Sequence, residues 1–504
     1  MRLGTVAASS AASARVNQPE TMTAGCARRD AGPALRRTLA AALLAASVAG
    51  CADLAGPAFQ RPDSPAKTSW SGPRAPVSAA QTVSPDWWQA FGDPQLDALV
   101  AQAIAGNYDL KVLAARTQVA AALIGEAKAG GMPIVDVGAG AIFEKSTGRK
   151  TSQRYDLGTQ VSWELDIWGK FEKGVQAQTA EFRATEADWR AGYLTLVAAV
   201  STTYFQILQL DQQLVEQRRA LDRNRAILAI YEAQLAHGLA PRTQVVRQRA
   251  EINRLTDGLL ELKRARDLAE NALATLTGVP AGEQKLAPGR LLDRVRLPEV
   301  PPGLPAQLLA RRPDIVAAEY RVLQGYDLAG QAKLARLPSI QLTGRAGTAS
   351  LALGDLMKSF TLSFLPSINI PLFDPGINAR IKTTEAQTGA AAAEYRRTVM
   401  VAFEEVENAL VSLAARKEQR VELVQQTSQL KLVASEVRAQ LKAGVVSQLE
   451  VFESERQLLA AELAVLANHQ QILADTVTLY KALGGGWPPV EVRNETNDER
   501  SPGK

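Results

Sequence analysis

Residues 155–171 read YDLGTQVSWELDIWGKF. From Leu157 to Ile167 every second position is apolar or Thr: Leu157, Thr159, Val161, Trp163, Leu165 and Ile167. Between them stand Asp156, Gly158, Gln160, Ser162, Glu164 and Asp166. A period of two specifies a β-strand with one apolar face and one wet, partly charged face. Whether the apolar face meets a protein core or lipid decides the fold.

The 504-residue chain has room for several domains or one elongated one. Its 57 basic and 52 acidic residues are interspersed and leave a net charge of +5, which argues against nucleic acid as a partner. Aromatics amount to only 5%, while Ala, Leu, Gln, Glu and Arg abound, as in long helices. Cys26 and Cys51 are the only cysteines, so neither a disulfide framework nor a Cys-based metal site is expected. His237 and His469, the only histidines, lie far apart and read as solvated helix residues, which makes a His base improbable. No Walker-type phosphate loop, GxSxG elbow or HExxH helix occurs, so the chain reads as a non-enzyme without metal or cofactor.

The N-terminus carries an address. Arg28, Arg29, Arg36 and Arg37 precede the apolar run TLAAALLAASV at 38–48, which leads into VAGC. A basic region, an apolar run of roughly 7–15 residues and small residues at a cut describe a secretory signal. The run is short of the about 20 residues that a membrane helix needs. VAGC resembles a bacterial lipobox. Residues 1–50 therefore read as a lipoprotein signal peptide, with Met22 an alternative start, and Cys51 as the lipidated residue. Ala52 follows where an inner-membrane signal would place Asp, which by resemblance to sorted lipoproteins favours the outer membrane. Residues 51–85, rich in Pro, Ser and Ala, read as an extended arm, and 489–504 as a disordered tail.

From there the chain doubles. Asp109, Ala127, Lys128 and Pro133 recur 205 positions later as Asp314, Ala332, Lys333 and Pro338. Leu165 and Gly169 return as Leu372 and Gly376, AQLAHG at 233–238 as AQLKAG at 439–444, and Gly278 as Gly484. An ordered series with so little drift marks two repeats, 86–298 and 299–488. Each repeat predicts a helix, a β-hairpin (about 134–168 and 339–373), a long helix (about 175–236 and 380–443) and a return helix (about 242–277 and 446–484). The long helices run without proline to glycine turns at Gly238 and Gly444, and pack as coiled coil. Residues 191–210 hold no charge and are long enough to span a bilayer. Their counterpart holds Glu404, Glu405 and Glu407, so a buried helix seam is the better reading.

Four strands cannot close a membrane barrel, which needs about eight or more. Open edges leave backbone groups unpaired, which lipid does not tolerate. If the apolar faces meet lipid, several copies must share one barrel. A soluble sandwich would show the same alternation, but Asp156, Glu164, Asp166 and Arg345 on the wet face suit a water-filled lumen. On the barrel reading, Leu157, Val161, Trp163, Leu165 and Ile167 face lipid, while Gln160, Ser162 and Glu164 face water.

The order of DWWQAFGDPQLDALV, WELDIWGK, PLFDPG and the two AQLxxG turns resembles the TolC-type outer-membrane efflux proteins. With the lipobox, the chain is most similar to their NodT-like lipoprotein branch, which serves resistance–nodulation–division pumps. The resemblance implies an elongated mixed α/β fold: a homotrimer in which four transmembrane strands per chain build a 12-stranded β-barrel over a periplasmic α-barrel of long helical hairpins. It implies a passive exit duct for small molecules, partnered by a periplasmic membrane-fusion adaptor and an inner-membrane pump. By the same resemblance the helix turns form the periplasmic tip, with Gly238, Leu239, Gly444 and Val445 as candidate adaptor contacts. Family members carry acidic residues just after the second-repeat glycine. Glu450 and Glu453 match them and are candidates for a cation-favouring constriction. The first-repeat positions hold Gln244 and Arg247, and a basic gate partner of some relatives would fall at Val446. Competing readings are the outer component of a protein-secretion system, a lipoprotein scaffold without a pore, and a lipid-anchored enzyme.

Overall fold

The computed structural model describes residues 59–63, 67–71, 84–145, 147–148, 151–286, 292–300 and 305–486, except the side chains of 306 and 307. The expected signal peptide, Cys51 and the tail lie outside the described residues. Helices α1 (Pro94–Gly106) and α2 (Tyr108–Ala129) lead to strands β1 (Ile134–Glu144) and β2 (Ser152–Leu165), then to α3 (Lys170–Ala236) and α4 (Arg242–Thr277). The plan returns as α5 (Pro305–Arg311), α6 (Pro313–Leu334), β3 (Ser339–Ser350), β4 (Thr361–Asn369), α7 (Pro375–Lys442) and α8 (Gln448–Ala482).

Both long helices start more than a turn before the positions read from periodicity: α3 follows Gly169 at φ +76°, with Asp166 Oδ2 accepting from the Glu172 N–H at 2.9 Å, and α7 follows a capping Asp. Asp374 caps α7, its Oδ1 accepting from the Gly376 N–H at 2.8 Å, and Pro375 occupies the first turn, where no donor is needed. Asp93 and Pro94 repeat the device on α1. At 67 residues α3 is about 100 Å long, far beyond what a compact domain accommodates.

The repeats close on themselves in the same way. Gly278, at the end of α4, has φ +77° and lies against the last residue of α1, so that a Cβ there would sit 2.3 Å from the Gly106 carbonyl oxygen. Gly484, after α8, has φ +88°, and its Cβ would sit 2.9 Å from the carbonyl oxygen of Arg311 at the end of α5. Only glycine gives the left-handed backbone and the close approach together.

The largest core lies where the helices cross. Trp87, Trp88 and Phe91 meet Tyr193, Val197 and Phe205 of α3 and Leu473, Val477 and Tyr480 of α8. Trp87 stacks on Tyr480 with ring centroids 4.9 Å apart. By length and composition α3 could cross a membrane, yet 61% of its apolar window is buried in protein. Tyr204 within it donates to Asp93 Oδ2 at 2.9 Å, so the uncharged stretch is a seam between helices. Smaller clusters of Leu, Val, Ile and Tyr continue along the rods.

His469 corrects the sequence reading. It is 7% exposed, with Nδ1 2.9 Å from Asp293 Oδ1. Burial, then Arg420, holds its pKa below the ordinary value, against the pull of Asp293. The turn Leu292–Arg294, near the end of the first repeat, packs on α8, and its Asp293 holds the imidazole. His237 is exposed, as expected, at the C-terminal cap of α3. The described parts of the arm lie along α6 and α7: Phe59 meets Tyr326 edge-on, Arg61 pairs with Glu319 at 2.7 Å, and Lys67 pairs with Glu407 at 2.5 Å.

Replacing Gly278 by Ala should cost about 2 kcal/mol or more, from left-handed strain of roughly 1–2 kcal/mol plus the backbone overlap. A lowered melting temperature of the purified protein and reduced yield, with Gly484→Ala behaving alike, would be the measured outcome.

Candidate functional site

All four strands form one antiparallel sheet in the order β1-β2-β3-β4. Paired residues project to the same side, so the register assigns the faces. Val137 opposes Thr159, Ala139 opposes Leu157, and Val135 opposes Val161. On the other flank of β2, Trp163 opposes Leu342 and Leu165 opposes Ile340; β4 then adds Leu362, Phe364 and Ile368. The result is one continuous apolar face across all four strands. Most of its large side chains are solvent-exposed in the single chain.

The opposite face carries Asp136, Arg154, Asp156, Gln160, Ser162, Glu164, Gln341, Arg345 and Ser363, and Asp136, Arg154, Asp156, Gln160, Arg345 and Ser363 border a trough of about 880 Å³. Arg345 donates from Nε to Gln160 Oε1 at 3.0 Å across β2 and β3. Gly140 leaves room for Asp156, whose carboxylate oxygens lie 2.9 Å from where a Cβ would stand. At the helical end of the sheet Lys170 pairs with Glu164 at 2.5 Å. Trp163 and Trp168 donate to the carbonyls of Gly131 and Pro338 at 2.8 and 2.7 Å, which ties the strands to the helices below. Thus Leu157, Val161, Trp163 and Leu165 share one face and Gln160, Ser162 and Glu164 the other, while Ile167 lies beyond the end of β2.

At the far end of the rods, both turns are built alike. Gly238 (φ +71°) and Gly444 (φ +72°) each follow a long helix. The Leu239 N–H returns to the Gln234 carbonyl at 2.8 Å and the Val445 N–H to the Gln440 carbonyl at 2.9 Å. These paired backward bonds close the helix ends and push the next side chain outward. Leu239 and Val445 are accordingly 78% and 74% exposed. Gln448 Nε2 donates to the Gln244 carbonyl at 2.9 Å, so the two turns sit side by side.

Glu450 is exposed and accepts from Ser447 Oγ at 3.3 Å. Glu453, one turn on, pairs with Arg456 at 2.6 Å and accepts from Gln457 Nε2 at 2.7 Å. The two candidate acids therefore differ: Glu450 carries its charge without a cation on its helix turn, and Glu453 shares its own with Arg456.

Above the tip lies an ionic knot that periodicity did not disclose. Glu455 of α8 is 5% exposed, with Arg223 of α3 at 2.9 Å and Arg438 of α7 at 3.0 Å. One carboxylate thus joins three helices from both repeats. Its neighbour Glu462 has Lys431 at 3.7 Å and Arg223 at 3.9 Å. Burial, then Glu216, raises the Glu462 pKa against those two cations. In sequence, Arg223 and Glu455 are two charges among many on long helices. Only the packing of α3 on α8 shows that they face inward.

Among the described residues no group of three His, Cys, Asp or Glu side chains could hold a metal ion. The family model described as outer membrane efflux protein matches residues 99–279 and 304–485, one match in each repeat. The chain is 30% identical over 454 residues to the probable outer membrane lipoprotein SilC of Salmonella typhimurium, covering 87% of this chain and 96% of that protein. It is 30% identical over 433 residues to the pyoverdine export outer membrane protein OpmQ of Pseudomonas putida, covering 83% and 91%. The open state of the MtrE outer membrane channel of Neisseria gonorrhoeae has the same fold, with a TM-score of 0.77 at 29% identity over 85% of this chain and 98% of that one.

Removing Arg223 leaves the buried Glu455 carboxylate with Arg438 alone, and the lost charge-assisted hydrogen bond costs roughly 1.5–3 kcal/mol. Arg223→Ala should make the Gly238 and Gly444 turns markedly more sensitive to protease. The double variant Arg223→Ala with Glu455→Ala should lose less than the sum of the two single changes.

Proposed function

The chain belongs to the outer membrane efflux protein family, and from that premise we propose that three copies form the outer-membrane exit duct of a tripartite efflux system. The observation that carries the reading is the two-faced sheet with both edges open. Its apolar face is continuous, its opposite face carries the charged and polar side chains, and among the described residues β1 and β4 each leave one side unpaired. Lipid accepts such a sheet only when the edges pair, so β4 of one copy must meet β1 of the next.

The internal duplication supports how the copies would join. Within the chain, α6 packs on both α3 and α7, and β3 pairs with β2. Helix α2 is the repeat counterpart of α6 and packs on α3. Val112 and Val119 on α2, with Met400, Val411 and Val421 on α7, remain exposed. Setting α2 of one copy on α7 of the next reproduces the α6 on α3 packing and covers those side chains. The same step pairs β4 with β1, so one geometric rule closes both the sheet and the rods.

In this reading the polar trough becomes one third of a water-filled lumen, and the rods continue it through the periplasm. The duct performs no chemistry; an inner-membrane pump of the resistance–nodulation–division type supplies energy through a periplasmic membrane-fusion adaptor. Gly238, Leu239, Gly444 and Val445 offer the adaptor an exposed apolar turn in each repeat. Glu450 and Glu453 contribute rings of negative charge at the tip, with Glu450 the stronger because Arg456 offsets Glu453. Cys51 carries the lipid. It precedes Phe59 by eight residues, a tether of at most about 29 Å, and Phe59 packs on α6 within three turns of its membrane end.

Purified protein should run as a trimer in detergent and give conductance steps in planar bilayers. A monomeric mass with silent bilayers would overturn the proposal. Glu450→Gln should lower cation selectivity more than Glu453→Gln, read from reversal potentials under a salt gradient.

A further inference from the structure

We propose that the turn between β3 and β4, residues 351–360, is an interfacial anchor that seats in the outer leaflet around the mouth of the barrel. The proposal rests on the membrane-barrel reading above and adds a lipid-binding element beyond the strands. The turn reads LALGDLMKSF, and Leu351, Leu353, Met357 and Phe360 are 76%, 63%, 81% and 75% exposed. Four large apolar side chains held in water at a loop tip are unfavourable, and a patch of this kind marks a surface made to be covered.

The structure indicates what covers it. Ser350 and Thr348 pair with Tyr155 and Leu157, so both point to the apolar face of the sheet. Ser350 Oγ accepts from the Ala352 N–H at 3.2 Å, and Thr348 Oγ1 donates to the Leu356 carbonyl. Two hydroxyls on the lipid-facing side thus draw the turn outward over β3 and towards β2. It folds away from the trough, and away from the free edge of β4 where a second copy would pair. The apolar turn is therefore continuous with the lipid-facing band, at the end of the strands remote from the helices.

Its polar groups fit an interfacial depth. Asp355 pairs with Lys358 at 2.5 Å, so the turn presents a matched ion pair to headgroups and apolar side chains to acyl chains. The other hairpin excludes the idea that this end of the sheet must be apolar. Its turn contains Lys145, Ser146, Thr147, Gly148, Arg149 and Lys150, with no large apolar residue. A trimer would alternate three cationic turns with three apolar ones around the mouth.

Single cysteines at Met357, Leu362 and Thr147, labelled with an environment-sensitive fluorophore in protein reconstituted in phosphatidylethanolamine and phosphatidylglycerol vesicles, test this directly. Nitroxide placed near the headgroups should quench the label at Met357→Cys severalfold more than at Thr147→Cys, with iodide showing the reverse order. Lipid quenching at Leu362→Cys but only iodide quenching at Met357→Cys would overturn the anchor and leave the barrel standing. A label at Met357→Cys shielded from both quenchers would mean protein contact and would overturn it too. Absence of lipid quenching at Leu362→Cys would remove the barrel premise and the anchor together.

Discussion

An unpaired backbone N–H or C=O in hydrocarbon costs several kcal/mol, and among the described residues each edge of the sheet carries a row of them. No side chain relieves that cost, because it belongs to the main chain of β1 and β4. The chain is therefore incomplete as a membrane structure by itself. Closure with other copies satisfies the edges, and the remaining architecture conforms to that closure. Strands confined to a ring deliver the helices below them into a ring of the same order.

Duplication makes such closure geometrically available. A junction that joins the first repeat to the second can also join the second to the first repeat of a neighbour. The paired glycines show how closely the copies hold their geometry: Gly278 and Gly484 adopt the same left-handed backbone against the ends of α1 and α5. Where close backbone contact is required the repeats agree, and where the surface faces different surroundings they diverge. One hairpin turn is cationic and the other apolar, and the candidate tip acids occur in the second repeat alone.

The long rods create their own difficulty. A coiled coil of this length buries only a narrow stripe, and most of its stability comes from repeated small contacts. Polar ties placed at intervals fix which rod faces which. Glu455 between Arg223 and Arg438, Lys173 with Asp327, and Arg321 with Asp188 each bind helices from both repeats. Such ties add less to stability than to register, because charges desolvated between helices are costly when mispaired.

Local signals made much of this protein legible from its residues. Alternation at 155–167 specified a two-faced strand, proline-free runs specified the rods, and glycine specified the turns, because each depends on neighbours a few residues away. The strand shortage and the backbone pairing rule called for partners on the condition that the apolar faces meet lipid. What tertiary structure alone decided is set by packing between distant segments. It turned His469 inward beneath Asp293, assembled the knot on Glu455, set Arg456 beside Glu453 and drew the 351–360 turn onto the outer face. Helical periodicity tells which residues share a stripe, but the stripe's partner depends on the rotation and offset of rods about 100 Å long. Those are fixed by contacts between residues hundreds of positions apart, which no local pattern encodes.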